Sequence, residues 1–152
     1  MTGSRTFVLI KPDGVQRGLV GAIIRRLEKR GLKLVAAHMR TVSRELAESY
    51  YAEHRDRDFF RPLVAYVTAG PIVAMVWEGQ GAVEVARATI GATDPAQAAP
   101  GTIRGDYGVD ISRNLIHGAD SKASAEREIG LFFQPDEILA YTRIDEDWLH
   151  RP

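Results

Sequence analysis

Apolar positions along the chain change rhythm several times. Residues 6–10 (Thr6, Phe7, Val8, Leu9, Ile10) form a β-branched and apolar run closed by Lys11-Pro12-Asp13-Gly14, which predicts a buried strand ending in a turn, with Lys11 at the strand's end. From 19 to 30, Leu19, Val20, Ile23, Ile24 and Leu27 recur at helical spacing while Arg25, Arg26, Glu28, Lys29 and Arg30 fall elsewhere, and Gly31 supplies the stop. Residues 32–42 alternate, as a strand with one wet face does. Ser43 can cap a helix running to about His54 with Leu46, Ala47, Tyr50 and Tyr51 on its inner side, and 59–68 predicts another helix. Gly70-Pro71 interrupts the chain before 72–77, an almost wholly apolar run that predicts a central strand. Residues 82–90 carry Val83, Ala86 and Ile90 on one helix face and stop at Gly91. The stretch 92–108 is rich in proline and glycine with little periodicity, so it reads as a long, ordered or functional loop. A last helix spans 122–133, followed by a strand over 138–142 and a tail holding Ile144, Trp148 and Leu149. One-sided helices around alternating and apolar strands predict an α+β two-layer sandwich, without fixing strand order.

Composition narrows the classes of function. The 152 residues suit a single domain over 1–152, with a C-terminal tail from about 142, and show no internal repeat or linker. Twenty basic and twenty acidic residues cancel, so no long-range field favours nucleic acid or an anionic membrane, and any anion site must be local. No cysteine is present, which removes disulfides and thiolate metal sites. No apolar stretch approaches the ~20 residues needed to span a bilayer. The start, Met1-Thr2-Gly3-Ser4-Arg5, leads into a short apolar run rather than a signal peptide, and the expectation is a cytoplasmic protein.

The stretch Arg113-Asn114-Leu115-Ile116-His117-Gly118-Ala119-Asp120-Ser121 carries the candidate chemistry. Gly118 permits a tight turn with little bulk beside the imidazole, and Asp120-Ser121 can cap the following helix, so His117 is expected near a helix N-terminus, where negative charge is favoured. A lone histidine beside Leu-Ile is ordinarily a packed loop residue, and lone cations such as Lys11, Arg87 and Arg104 are ordinarily solvated. These three nevertheless offer the positive charge that phosphoryl transfer requires, from a strand end, a helix and the long loop. Neither Gly-x-x-x-x-Gly-Lys-Ser/Thr nor Gly-x-Gly-x-x-Gly occurs, so nucleotide binding would need another design.

Asn114 to Ser121 resembles the active-site motif of nucleoside diphosphate kinases, Asn-x-x-His-Gly-Ser-Asp-Ser, with Ala119 where the family has serine. Lys11-Pro12-Asp13-Gly14-Val15-Gln16-Arg17-Gly18, Phe59-Phe60, Gly70-Pro71 before Met75-Val76-Trp77-Glu78, and Pro100-Gly101-Thr102-Ile103-Arg104-Gly105-Asp106 are similar to further family stretches in order and spacing, covering about 5–149. The resemblance implies a ferredoxin-like four-stranded antiparallel sheet with helices packed on it, and a nucleotide in a cleft between a helical hairpin and the long loop. It implies ping-pong transfer of a γ-phosphate from a nucleoside triphosphate to a nucleoside diphosphate through a phosphohistidine at His117, maintaining NTP and dNTP pools.

By the same resemblance, Glu128 accepts a hydrogen bond from the catalytic ring and Tyr51 hydrogen-bonds near it. Lys11, Arg87, Thr93 and Arg104 contact phosphates, and Lys11 and Asn114 also reach the ribose 3′-hydroxyl. Phe59 stacks on the base, with Leu63 beside it and Ile111 on the other face, a slot that accepts any base because all have a π-face. Mg²⁺ travels with the nucleotide, and Asp120 could approach it through water. A homo-oligomer is expected, a hexamer with a tetramer as its alternative, contacted through the long loop and the tail. The competing readings are a scaffold of the same fold weakened in turnover, with Ala119 as its evidence, and a ferredoxin-like nucleic-acid binder, against which the balanced charge argues.

Overall fold

The structure, a computed structural model, describes residues 3–150; Met1, Thr2, Arg151 and Pro152 lie outside the described residues. In chain order the elements are β1 (Ser4–Ile10), α1 (Pro12–Gln16), α2 (Val20–Lys29), β2 (Lys33–Arg40), α3 (Arg44–Tyr50), α4 (Phe60–Val67), β3 (Ile72–Gly79), α5 (Ala82–Ile90), α6 (Ile103–Tyr107), β4 (Ile116–Gly118), α7 (Lys122–Phe132) and α8 (Glu146–Leu149). The strands form one antiparallel sheet in the order β2-β3-β1-β4. This is the α+β, ferredoxin-like arrangement expected.

Helices lie on both faces of that sheet. Alternation along β1 sends Phe7 and Leu9 to one side, against Tyr50 of α3, Val64 of α4 and Phe132 of α7. Val8 and Ile10 go to the other, against Ile23 and Leu27 of α2, Ile90 of α5 and Ile103 of α6. Two buried faces are why every residue of β3 is buried and why its sequence is apolar without alternation. Sequence pattern predicted two layers; the second helical layer follows from these doubly covered strands.

Local signals fixed most helix ends. At the end of α2 the Gly31 N–H donates to the Glu28 carbonyl at 3.0 Å and the Leu32 N–H to the Leu27 carbonyl at 3.3 Å, a Schellman stop in which Gly31 takes φ of +93°. Ser43 Oγ accepts from Leu46 N–H at 3.1 Å at the start of α3, and Ser121 Oγ accepts from Ser124 N–H at 3.0 Å at the start of α7.

Four expectations require correction. Lys11-Pro12-Asp13-Gly14 opens a short helix rather than a plain turn, because proline at the first helical position presets φ. The helix starting at Ser43 ends at Tyr50, and a separate 3₁₀ turn follows over Ala52–His54. The segment 92–108 contains the 3₁₀ turn Pro95–Gln97, capped by Asp94, and α6, capped by Thr102. Finally, no strand forms over 138–142. The fourth strand is Ile116–Gly118, so His117 lies in an edge strand and not in a tight turn.

The tail instead straps the free edge of β2. Leu139 N–H donates to the Val35 carbonyl at 2.9 Å, the Tyr141 hydroxyl donates to the Leu34 carbonyl, and buried Lys33 reaches Glu146 at 3.3 Å and Glu78 at 3.4 Å. Ile144 and Trp148 point away, fully and 89% exposed.

Replacing Ser121 by Ala removes the cap that starts α7, and it should cost about 1 kcal/mol. Urea denaturation of the two proteins at equal concentration checks this, the expected result being a lower midpoint with an unchanged slope.

Candidate active site

Pairing with β1 is what places the imidazole. His117 sits opposite Leu9, so its side chain emerges on the face that carries Phe7, with ring centroids 6.3 Å apart. The Tyr50 ring meets it edge-on at 5.4 Å. On α7, about two turns past the Ser121 cap, buried Glu128 places Oε1 2.8 Å from His117 Nε2. A carboxylate can only accept, so Nε2 carries the hydrogen and Nδ1 of the neutral ring keeps its lone pair. The ring is thus oriented, supported on its flanks, and left with one free nucleophilic nitrogen.

Around that ring lies a cleft of about 260 Å³ lined by Lys11, Arg87, Thr93, Arg104, Asn114, His117 and Asp120, together with Glu53 and His54. Elements far apart in sequence supply the cations: Lys11 at the end of β1, Arg87 on α5 and Arg104 on α6. Arg104 is nearly buried and donates to the carbonyls of Asn114 at 3.1 Å, Gly91 at 3.2 Å and Ile116. Arg87 donates to the Gly118 carbonyl at 3.3 Å. Asn114 accepts from Lys11 Nζ at 2.8 Å and donates to the Thr93 carbonyl at 3.1 Å, joining three predicted nucleotide contacts in one chain of bonds. Burial pulls Lys11 down to about 8, with the Arg104 charge adding to the effect and Asp13 opposing it. Burial, followed by the Arg87 charge, lowers Arg104 to about 10. Polyphosphate entering the cleft would relieve both repulsions.

The other predicted residues are less closely gathered. Phe59 and Ile111 are 46% and 55% exposed and do not line the cleft, and Leu63 packs partly buried against the core. Phe59 touches the cleft wall through His54, at 5.2 Å between ring centroids. The Tyr51 hydroxyl is buried without a hydrogen-bond partner among the described residues, and burial holds its ionisation well above the usual range. The ring touching His117 belongs to its neighbour Tyr50. Glu53 and His54 went unread because in sequence they only extend a helix; the turn that breaks there swings them onto the cleft. Ala119, where the resemblance expects serine, is fully buried, and its N–H donates to the Phe7 carbonyl at 3.0 Å. Its methyl therefore belongs to the core, and the backbone after His117 is fixed without the missing hydroxyl.

Among the described residues no group of three or more His, Cys, Asp or Glu side chains could hold a metal alone. The cleft's Asp120 is kept ionised by hydrogen bonds, chiefly from Ser124, next from Ser121. With no such cluster, an open, cation-rich cleft with Asp120 at its side fits a divalent ion that arrives on its substrate's phosphates.

A family model described as nucleoside diphosphate kinase matches residues 4–138. The chain is similar to the nucleoside diphosphate kinase of Archaeoglobus fulgidus, 60% identical over 146 residues that cover 96% of this chain and 97% of that one. It is equally similar to that of Natronomonas pharaonis, 60% identical over 147 residues and covering 96% of each. The chain belongs to the nucleoside diphosphate kinase family. Its fold matches the solved structure of a halophilic nucleoside diphosphate kinase from Halobacterium salinarum in complex with CDP, at a TM-score of 0.95 and 52% identity, over 97% of this chain and 99% of that one. A family protein from Babesia bovis matches at a TM-score of 0.94 and 40% identity. The kinase moves a γ-phosphoryl group between nucleotides, and enzymes of this family generally need a divalent metal. A scaffold reading is not favoured, since relatives this similar carry the kinase name. No helix among the described residues is long and apolar enough to cross a membrane.

Lys11 makes the kinase's stability depend on pH in a direction that can be worked out. Its pKa is about 8 when folded and 10.5 when free, so between those values the unfolded chain holds a proton that the folded one has released. Stability from this group therefore rises with pH across that window, and below about 8 the buried ammonium costs the fold about 3 kcal/mol, at ~1.4 kcal/mol per pH unit. Lys11→Met should be inactive yet gain stability over the parent at pH 7, with the gap narrowing from pH 8 to 10.5. Denaturant midpoints of both proteins measured across that range check it.

Proposed function

We propose that His117 carries the phosphoryl group, and that the cations around it, not a P-loop, bind the nucleotide. What supports this reading above all is the His117 Nε2 to Glu128 contact of 2.8 Å, which leaves Nδ1 as the free nitrogen in a cleft containing Lys11, Arg87 and Arg104. In the first half-reaction the Nδ1 lone pair attacks the γ-phosphorus, the bond to the bridging oxygen breaks, and the nucleoside diphosphate leaves with that electron pair. Glu128 stabilises the positive charge that the ring acquires. In the second half a terminal oxygen of another diphosphate attacks the phosphorus, the N–P bond breaks, and the neutral imidazole returns. One cleft serves both halves, so donor and acceptor alternate in it.

Lys11, Arg87, Thr93 and Arg104 take the phosphates, and Lys11 with Asn114 takes the ribose 3′-hydroxyl. Phe59, Leu63 and Ile111 form the base slot, which closes on the ring of whichever nucleotide enters. The CDP bound by the Halobacterium salinarum relative is consistent with a pyrimidine being accepted there. Asp120 is the residue that would stand nearest a Mg²⁺ carried in on the substrate's phosphates, and the ion would supply neutralisation of phosphate charge. Catalysis of this kind keeps NTP and dNTP pools balanced, in the cytoplasm. Residues 1–152 act as one domain. The exposed Ile144 and Trp148 and the long loop favour a homo-oligomer, a hexamer.

Incubation with γ-labelled ATP should leave an acid-labile, alkali-stable label on the protein. His117→Ala should abolish both label and turnover. Glu128→Gln should lower the rate less severely, because an amide still accepts the ring's hydrogen bond without offering a full charge. A variant without His117 that retained more than a few per cent of parental activity would remove it from this role.

Light scattering at micromolar concentration tests the assembly. A mass near six times 16.8 kDa is expected. Four times would indicate the tetramer, and a monomer would refute the argument from loop and tail.

A further inference from the structure

Leu115, two residues before His117, is the one non-glycine residue among those described with a positive φ, at +75°. A γ-branched side chain gains nothing locally from the left-handed region, and such strain persists only where the surroundings over-determine it. Here they do. The Leu115 carbonyl accepts from Lys11 N–H at 2.8 Å, its N–H donates to Asp13 Oδ2 at 3.1 Å, and its side chain is fully buried. The other oxygen of Asp13 accepts the hydroxyl of Tyr66, a buried residue of α4. The same Tyr66 ring lies 5.3 Å from Lys11 Nζ and 4.7 Å from the Arg113 guanidinium. One carboxylate thus ties α1, α4 and the entry to β4 together, at the point where the chain turns from Asn114 into the strand that carries the nucleophile.

We propose that Asp13 and Tyr66 form a positioning couple that holds Leu115 in its left-handed turn and thereby fixes the distance between Lys11, Asn114 and His117. The inference rests on His117 as the phosphoryl carrier and Lys11 as a phosphate contact. Neither Asp13 nor Tyr66 lines the cleft, so they act through the residues they hold. Asp13 has a second effect through charge: Lys11 faces Asp13, Arg104, the Tyr66 ring and the neutral Asn114, and Asp13 is the one anion among these. Its loss would let Lys11 release its proton at lower pH.

The test compares Asp13→Asn, Asp13→Ala and Tyr66→Phe with the parent, reading kcat and KM separately across pH. Tyr66→Phe keeps the ring beneath Lys11 and removes only the hydroxyl, and it should lower kcat about threefold, as a small misplacement of reacting groups does. Asp13→Ala should lose about tenfold or more in kcat, with Asp13→Asn between, because the amide oxygen still accepts the Leu115 N–H. KM should stay within about twofold for Tyr66→Phe. The alkaline limb of kcat/KM should move to lower pH in both Asp13 variants and stay in place in Tyr66→Phe. A parental kcat in Tyr66→Phe and Asp13→Asn, with only their melting temperatures lowered, would overturn the proposal even if Asp13→Ala failed to fold. An unmoved alkaline limb in Asp13→Asn would do the same for the charge effect. His117→Ala run alongside separates the two levels: label surviving there removes the phosphohistidine reading, whereas label lost there with parental rates in the couple's variants removes only this inference.

Discussion

A single hydrogen bond, from His117 Nε2 to Glu128, decides what the site can do. Imidazole offers two chemically similar nitrogens, and without a partner the ring would divide its population between two tautomers and two orientations. A buried acceptor on α7 selects one of each. That acceptor can be where it is because Ser121 starts α7 at a fixed residue, because β4 pairs with β1 in register, and because Tyr50 and Phe7 occupy the flanks of the ring. The sheet order β2-β3-β1-β4 is therefore what sets the ring against Glu128. A one-residue slip of β4 would turn the imidazole to the opposite face, away from Glu128.

Placing three cations around that ring opposes folding, and the protein offsets it locally. Arg104 is buried with three main-chain carbonyls as partners, none of them charged, and Lys11 has an amide oxygen and an aromatic face. Neutral partners satisfy the donors without cancelling their charge, so the field stays available for phosphate. Carboxylates as partners would have made a more stable cleft and a poorer anion site. This is how a chain with no net charge can bind a strongly anionic ligand: cations with neutral partners are gathered in one cleft, while elsewhere cations are paired with carboxylates, as in the Lys33, Glu78, Arg5 and Glu146 cluster at the sheet's other end.

Elements with a local signal of their own were the legible ones. The stripe of α2 and its stop at Gly31, the apolar run of β3 and the cap at Ser121 can all be read from neighbours within four residues. The three-residue β4 cannot, because three residues carry no period and their pairing is set by a partner more than a hundred positions earlier. The error over 138–142 has the matching cause. That segment is apolar enough for a strand, but it meets β2 mainly through side chains, the Tyr141 hydroxyl donating to the Leu34 carbonyl and the Lys33 ammonium to the Tyr141 carbonyl. At the site, the resemblance of motifs pointed to His117, Lys11, Arg87, Arg104 and Asn114, whereas composition and spacing alone could not separate them from ordinary surface cations. Nothing local marks Asp13 as more than a turn residue or Tyr66 as more than a helix face.

That last gap follows from where strain is held. A left-handed leucine cannot be foreseen from its own identity, since the side chain resists the conformation rather than asking for it. The cause is distributed among Lys11, Asp13 and Tyr66, residues that all precede Leu115 by dozens of positions or more and converge on it only when β1, α4 and β4 have assembled. Folding energy gathered across the sheet is thus spent on one backbone dihedral two residues before His117. The two stretches that meet there, Lys11-Pro12-Asp13-Gly14 and Asn114-Leu115-Ile116-His117, each look like an independent motif in the sequence, and in the fold they are two halves of one clasp.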